Sequence, residues 1–226
     1  MECLWCGEEI IMEISWQNVF WPEKPSRLCT VCKQNLNFIA GNRCAKCSRS
    51  TEEKICADCR RWEKQLGEDV LEWNYSLFSY NAFMKEYMAK WKYRGDYHLG
   101  FAFQDAIRQV YKEQFSFLKK DAVVVPIPLS KERLHERKFN QAKMLAEFFP
   151  LPVKEILGRK HGEKQAKKSR KERIFSQNPF FITETLNKPV ILVDDIYTTG
   201  TTLRHAAFLL KEHGCSRVFA FTLIRG

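Results

Sequence analysis

Eight of the nine cysteines lie in the first 59 residues, arranged as four Cys-x-x-Cys pairs: Cys3/Cys6, Cys29/Cys32, Cys44/Cys47 and Cys56/Cys59. Only Cys215 stands apart. Nothing else in the chain restricts a fold so strongly, because eight thiols in so short a segment imply disulfides, metal ions or redox chemistry. A secreted disulfide scaffold is expected to carry an export signal, and MECLWCGEEI has no basic stretch followed by an apolar run. A redox dithiol needs one pair at the start of a helix in a βαβ unit, not four pairs in succession. Metal explains the pattern better. Two thiolates three residues apart can reach one ion from a tight turn, and two such turns complete a tetrahedral site. Gly7, directly after Cys6, suits such a turn. The spacing therefore predicts two structural Zn2+ ions held by all eight thiolates, with no open position for catalysis. Joining the first pair to the second and the third to the fourth gives tandem zinc ribbons, which the gaps 7–28 and 48–55 favour. A cross-braced arrangement, first with third and second with fourth, uses the same ligands.

Charge is distributed unevenly. The chain has 226 residues and a formal charge of +10, from 37 Lys+Arg against 27 Asp+Glu. Residues 1–65 hold ten basic and nine acidic side chains, so a net +9 belongs to the remainder. The aromatic content of 13% argues against disorder, and the length allows one or two ordinary domains. The longest apolar stretch, Ala122 to Leu129, contains two prolines and falls short of the ~20 residues that cross a bilayer. The expected location is cytoplasmic, with any association at the inner membrane face made through partners.

Beyond the last cysteine pair the pattern becomes α/β. Strands are expected at Trp73–Tyr80, Ala122–Ile127, Val153–Leu157, Pro189–Val193 and Val218–Leu223. Helices are expected after Asn81, after Asp96 toward Phe117, after Asn140, and from Gly200 to His213. Short apolar runs alternating with helices imply a mostly parallel sheet covered on both faces, with ligands beyond the carboxyl ends of its strands. The predicted division is a zinc-ribbon module at 1–62, a connecting segment at 63–75 and an α/β domain at 76–226. All six tryptophans precede residue 92, and most are expected to pack rather than to stack on bases.

Residues 190–203 read V-I-L-V-D-D-I-Y-T-T-G-T-T-L. A buried strand ends in two acids, and five small residues then lead into a helix. Thr198, Thr199, Gly200, Thr201 and Thr202 bring backbone N–H groups and hydroxyls to a helix N-terminus, which favours a phosphate. Asp194 and Asp195 repel phosphate but can accept hydrogen bonds from two adjacent sugar hydroxyls. Ribose 5-phosphate offers both halves.

This segment resembles the 5-phosphoribosyl-1-pyrophosphate (PRPP) motif of type I phosphoribosyltransferases. The resemblance implies that Asp194 and Asp195 hold the ribose hydroxyls and that residues 198–202 wrap the 5′-phosphate. Tyr197 stands where a small apolar residue is usual. V-P-I-P-L-S-K-E-R-L-H-E-R-K-F-N-Q-A at 125–142, K-Y-R-G-D at 92–96 and the four cysteine pairs resemble ComF-type late-competence proteins over essentially the whole chain. Lys138 replaces the usual glycine before Phe-Asn-Gln, while Gly162 and Ser176 replace a Thr and an Asn.

By that resemblance Ser130, Lys131, Arg133 and Arg137 lie on the pyrophosphate side, and Mg2+ accompanies PRPP. Without it, the stretch after Pro128 reads as a solvated loop. Lys160, Lys164, Lys167, Lys168, Lys171 and Arg173 form a basic loop that can act as a lid over the site or track a nucleic-acid backbone. The implied role is an accessory protein of DNA uptake in natural transformation. It binds single-stranded DNA and a competence helicase, an ATPase of the uptake machinery. The alternative is an active phosphoribosyltransferase with an unknown acceptor, for which no catalytic residue is identified. Amidotransferase chemistry of related enzymes is not expected, because Glu2 follows Met1 where a cysteine would be needed.

Overall fold

The computed structural model describes residues 1–11, 26–66, 69–119, 121–160 and 178–226. Two short helices, α1 (Thr30–Gln34) and α2 (Ala57–Leu66), belong to the cysteine-rich end. Then come β1 (Asn74–Ser79), α3 (Ala82–Tyr93), a helical run from Tyr97 to Leu118 containing α4 (Gln104–Val110), and β2 (Val123–Pro126). They are followed by α5 (Lys131–Arg137), α6 (Gln141–Ala146), β3 (Leu157–Arg159) and β4 (Phe180–Ile182). The chain closes with β5 (Val190–Tyr197), α7 (Thr201–Glu212) and β6 (Val218–Arg225).

Four strands form one parallel sheet in the order β1-β6-β5-β2. Its central strands are largely apolar because both faces are covered: Val190–Val193 and every residue of β6, Thr222 and Arg225 included, are buried. Alternate residues of β5 enter different cores. Ile191 and Val193 pack with α3, the 97–118 run and the end of α6, whereas Val190 and Leu192 pack with α7. The cysteine pairs divide in the same way. Cys3, Cys29 and Cys32 belong to the first core, and Cys44, Cys47, Cys56 and Cys59 to the second. The two cysteine modules thus cover opposite faces of one sheet.

Local signals account for most elements. Asn81 caps α3 by accepting from the Met84 N–H at 2.8 Å, and the helix buries Met84, Tyr87, Met88 and Trp91 at helical spacing. Asn140 caps α6 in the same manner through Ala142 N–H at 3.0 Å. Four expectations need correction. Asp96 makes no side-chain cap, and the run it precedes passes from 3-10 turns through α4 to a π turn at Tyr111–Phe115. The 3-10 start seats Gly100 against Met144 and Trp91, where a Cβ would lie 2.4 Å from the methionine sulfur. Residues 153–157 do not form a strand of the sheet. Val153 makes an isolated parallel bridge to Val124, and the chain then leaves as the Ile156 carbonyl accepts from Thr183 N–H at 2.8 Å. Leu157–Arg159 instead pairs antiparallel with Phe180–Ile182 in a two-stranded ribbon.

The third correction is that β5 does not stop at Val193. β6 runs beside it to Arg225, so Asp194 pairs with Thr222, Ile196 with Ile224 and Tyr197 with Arg225. The fourth concerns the stretch after Pro128, which is helical. Ser130 Oγ accepts from the Arg133 N–H at 3.4 Å and starts α5, and the helix ends on Lys138 at φ +67°. Among the described residues no helix is long and apolar enough to cross a membrane.

Candidate ligand site and cysteine clusters

The cysteines group in tandem. Cys3, Cys6, Cys29 and Cys32 form one set, Cys44, Cys47, Cys56 and Cys59 the other, and within each set the sulfurs lie within 4.8 Å of one another. A tetrahedral ion with Zn–S bonds of about 2.3 Å requires sulfur–sulfur edges of about 3.8 Å. Cys6 and Cys29 are 3.8 Å apart and Cys47 and Cys56 3.7 Å. Backbone N–H groups of Cys29 and Cys56 donate to the sulfurs of Cys3 and Cys44, each at 3.3 Å, as befits thiolates. Both donor sets therefore fit a four-coordinate metal ion. Cys215 is buried and donates to the Leu186 carbonyl at 3.1 Å, a packed residue far in sequence from either set.

The candidate ligand site lies at the carboxyl edge of the sheet. Parallel pairing brings the ends of β2 and β5 together: Pro126 lies opposite Val193, and Ile127 N–H donates to the Val193 carbonyl at 2.9 Å. The turn before α5 and the loop before α7 consequently leave the same edge. Asp194 and Asp195 occupy successive positions of β5, so their side chains diverge instead of emerging together. Asp195 makes an ion pair with Lys92, from the K-Y-R-G-D segment at the end of α3, and both side chains are largely buried. The Asp195 N–H donates to Asp194 Oδ1 at 2.9 Å. Burial, and then the charge of Asp195, push the Asp194 carboxyl up to about 7, against the pull of Lys92 and Arg159.

The loop that follows turns on Gly200. Its φ of +80° is left-handed, and a Cβ there would lie 2.2 Å from the Tyr197 hydroxyl and 2.3 Å from Arg204 Nη1. Only glycine fits. Thr199 Oγ1 and Thr201 Oγ1 are 2.9 Å apart, Thr198 is exposed, and Thr201 and Thr202 open α7. Tyr197 is buried, and its hydroxyl accepts from Arg204 at 2.8 Å, so its bulk fills space behind the loop.

Arg133 and Arg159 are near enough for their charges to interact, and Arg159 also acts on Asp194. Lys131 is exposed and Ser130 caps α5. Arg137 is turned inward: its guanidinium lies over the Tyr93 ring at 5.4 Å and donates to Gln141 Oε1 at 3.1 Å. Lys160 is exposed at the end of β3, with its N–H donated to the Pro179 carbonyl at 2.8 Å. Lys164, Lys167, Lys168, Lys171 and Arg173 lie outside the described residues, as do Gly162, Ser176, Trp16 and Trp21.

Several residues of this site were not singled out as site residues by the sequence. Lys92 adds a cation beside the two aspartates, alongside Arg159, which the sequence did place at the head of the basic loop. Trp62, from α2, donates its indole N–H to the Thr199 carbonyl at 2.9 Å. Arg225 donates to the carbonyls of Tyr197 and Thr198, each at 3.1 Å, and reaches Cys47 Sγ at 3.8 Å. Arg204 binds Asp69 at 2.7 and 3.1 Å and lies over the Trp62 ring at 4.8 Å. The contacts of Trp62, of Arg204 with Asp69 and of Arg225 with Cys47 join segments more than a hundred residues apart, so no spacing rule could have found them.

Residues 140–226 match the model of the phosphoribosyl transferase domain. The chain is 37% identical to Competence protein ComFC of Bacillus subtilis, over 99% of this chain and 94% of that protein. It is 31% identical to Competence protein ComFC of Streptococcus pneumoniae over the full length of both. A hypoxanthine phosphoribosyltransferase from Staphylococcus aureus is similar at 19% identity and a TM-score of 0.35, covering 56% of this chain and 64% of that one. The parallel sheet with flanking helices, the phosphoribosyl transferase match over residues 140–226 and the two four-cysteine sets at the N-terminal end are accompanied by a near full-length match, so this chain belongs to the ComFC family of competence proteins.

Proposed function

We propose that the protein is an accessory factor of DNA uptake in natural transformation that carries a PRPP-type ribose-phosphate site. The observation that bears most weight is the juxtaposition at the end of β5. Two acids stand on the strand, and a loop fixed by Gly200 carries small hydroxyl residues into α7. In this reading Asp194 and Asp195 accept from the ribose hydroxyls, and Thr198, Thr199, Gly200, Thr201 and Thr202 surround the 5′-phosphate. Ser130, Lys131, Arg133 and Arg159 face the diphosphate, with Mg2+ held between its oxygens and water. Arg137 supports α5 from within, since its guanidinium is engaged by Tyr93 and Gln141. Each set of four cysteines holds one structural Zn2+.

The division into a zinc-ribbon module at 1–62, a link at 63–75 and a transferase-like domain at 76–226 is part of the same proposal, as are the partners. Single-stranded DNA is drawn to the basic segment from Lys160 to Arg173, and a helicase engages the protein in the uptake machinery on the cytoplasmic side. Calorimetry with PRPP and Mg2+ tests the ligand. Asp194→Asn with Asp195→Asn should abolish most of the binding seen with the parent protein while the fold persists. Unchanged affinity in the folded double variant rejects the assignment. Pyrophosphate released in the presence of an acceptor base would make the protein a working transferase instead.

A further inference from the structure

The peptide groups of the loop after β5 are held from behind by Trp62 of the second cysteine module and by Arg225 of β6, which reaches that module at Cys47. Three consecutive carbonyls have side-chain donors on that side. Arg225 Nη1 donates to Tyr197 O and Thr198 O at 3.1 Å, and Trp62 Nε1 donates to Thr199 O at 2.9 Å. Arg225 and Trp62 are both buried. The other terminal guanidinium nitrogen of Arg225 reaches the sulfur of Cys47 at 3.8 Å, while the group lies over the Tyr197 ring at 4.7 Å. Trp62 sits on α2, the helix that also carries Cys59. Arg204, over the Trp62 ring and bonded to the Tyr197 hydroxyl and Asp69, clamps the same corner.

A trans peptide points its N–H opposite to its C=O. The Tyr197 carbonyl faces β6, where it also accepts from the Gly226 N–H at 2.9 Å, and those of 198 and 199 face Arg225 and Trp62, so the N–H groups of Thr198, Thr199 and Gly200 point away from these donors. No protein acceptor is found for these three N–H groups among the described residues. A row of outward amides with no internal partner is the geometry that binds an anion. Arg225 can bridge because its guanidinium has donors on both sides, and a single lysine ammonium cannot span sulfur and carbonyls in the same way.

We propose that Arg225, anchored on the thiolate of Cys47, is a positioning residue: together with Trp62 it makes the second cysteine set the template that aims the amides of residues 198–200 at a bound phosphate. The ligand in this statement is the ribose phosphate proposed above, but the aiming of the amides does not depend on it. The first cysteine set, on the opposite face of the sheet, plays no part.

The test uses Arg225→Gln and Trp62→Phe in the full-length chain, with zinc content and unfolding midpoint measured beside two readouts. Amide hydrogen exchange of residues 196–203 reports the loop without any ligand, and calorimetry with PRPP and Mg2+ reports the phosphate site. Arg225→Gln should keep two zinc ions per chain, speed exchange in that segment, and weaken PRPP binding about tenfold, the loss expected for one or two buried hydrogen bonds. Trp62→Phe keeps an aromatic ring and loses one donor, so its effect should be smaller and in the same direction. Arg225→Lys should recover less than half of the loss. A folded, zinc-replete Arg225→Gln with parental exchange in 196–203 overturns the proposal, whatever the ligand. If exchange rises but the parent protein does not bind PRPP, the positioning role stands and the ribose-phosphate reading falls.

Discussion

Asp194 is a carboxylate whose burial at a strand end works against stability. Its carboxyl, pushed up to about 7 by burial and by Asp195, takes up a proton more readily when folded than when unfolded. The folded state therefore binds more protons than the unfolded one between about pH 4 and pH 7, and stability falls as pH rises through that window. Asp194→Asn removes the loss. At pH 8 this variant should be more stable than the parent by roughly 1–3 kcal/mol, and the gap should close toward pH 4, as read from urea unfolding midpoints. Lys138 is a second residue out of its element. It ends α5 at φ +67°, a conformation that costs a Cβ-bearing residue about 1–2 kcal/mol and glycine nothing. Glycine gives back part of that through its freer unfolded chain, so Lys138→Gly should stabilise by about 0.5–1 kcal/mol. A thermal midpoint that drops in this variant would show that the lysine side chain makes a contact worth more than the backbone strain.

Among the elements, the strand–loop–helix unit from Val190 to Glu212 and the cysteine turns were the most legible in the sequence. Both are local: the buried run, the two acids, the glycine and the helix follow one another within a few residues, and each Cys-x-x-Cys turn is complete in itself. The pairing of the turns was open between two arrangements, and the sulfur distances decide for the tandem one. The ribbon of β3 and β4 was not legible, because its strands are three residues each and their pairing spans the basic segment. Metal removal is tested at this scale. Besides the cysteines and Trp62, the short segments 1–11 and 26–66 bury only Leu28, Leu36 and Ile39 among large side chains, so a metal held by the two cysteine sets would supply their main cross-links. A chelator strong enough to strip zinc should unfold both modules, and the second should take the carboxyl edge of the sheet with it, through Arg225 and Trp62. Hydrogen exchange at residues 196–203 that stays parental after complete metal loss would contradict this.

For the whole molecule, charge and layering set the expected behaviour toward DNA. The net +9 lies beyond residue 65, and the basic stretch from Lys160 to Arg173 follows β3 in the chain, directly after Arg159, whose charge acts on Asp194. For single strands, log affinity falls against log salt with a slope of about −0.7 per phosphate contacted. Lys164→Glu, Lys167→Glu, Lys168→Glu and Lys171→Glu together should flatten that slope and weaken binding regardless of base sequence, whereas the Asp194/Asp195 double variant should leave the slope unchanged. Fluorescence anisotropy with a labelled oligonucleotide over a salt series reads both. A four-fold variant with parental affinity and slope would place the DNA track elsewhere. By itself the sequence determined what depends on neighbours along the chain: the thiolate turns, the capped helices, the apolar strands and the acid-to-threonine motif, because periodicity and short spacing fix local conformation. Only the tertiary structure decided which face of the sheet each cysteine module covers, and that Lys92, Trp62, Asp69 and Arg225 meet at the site. Those contacts depend on packing a sheet whose order, β1-β6-β5-β2, brings together residues up to 178 positions apart, and no local pattern encodes that order.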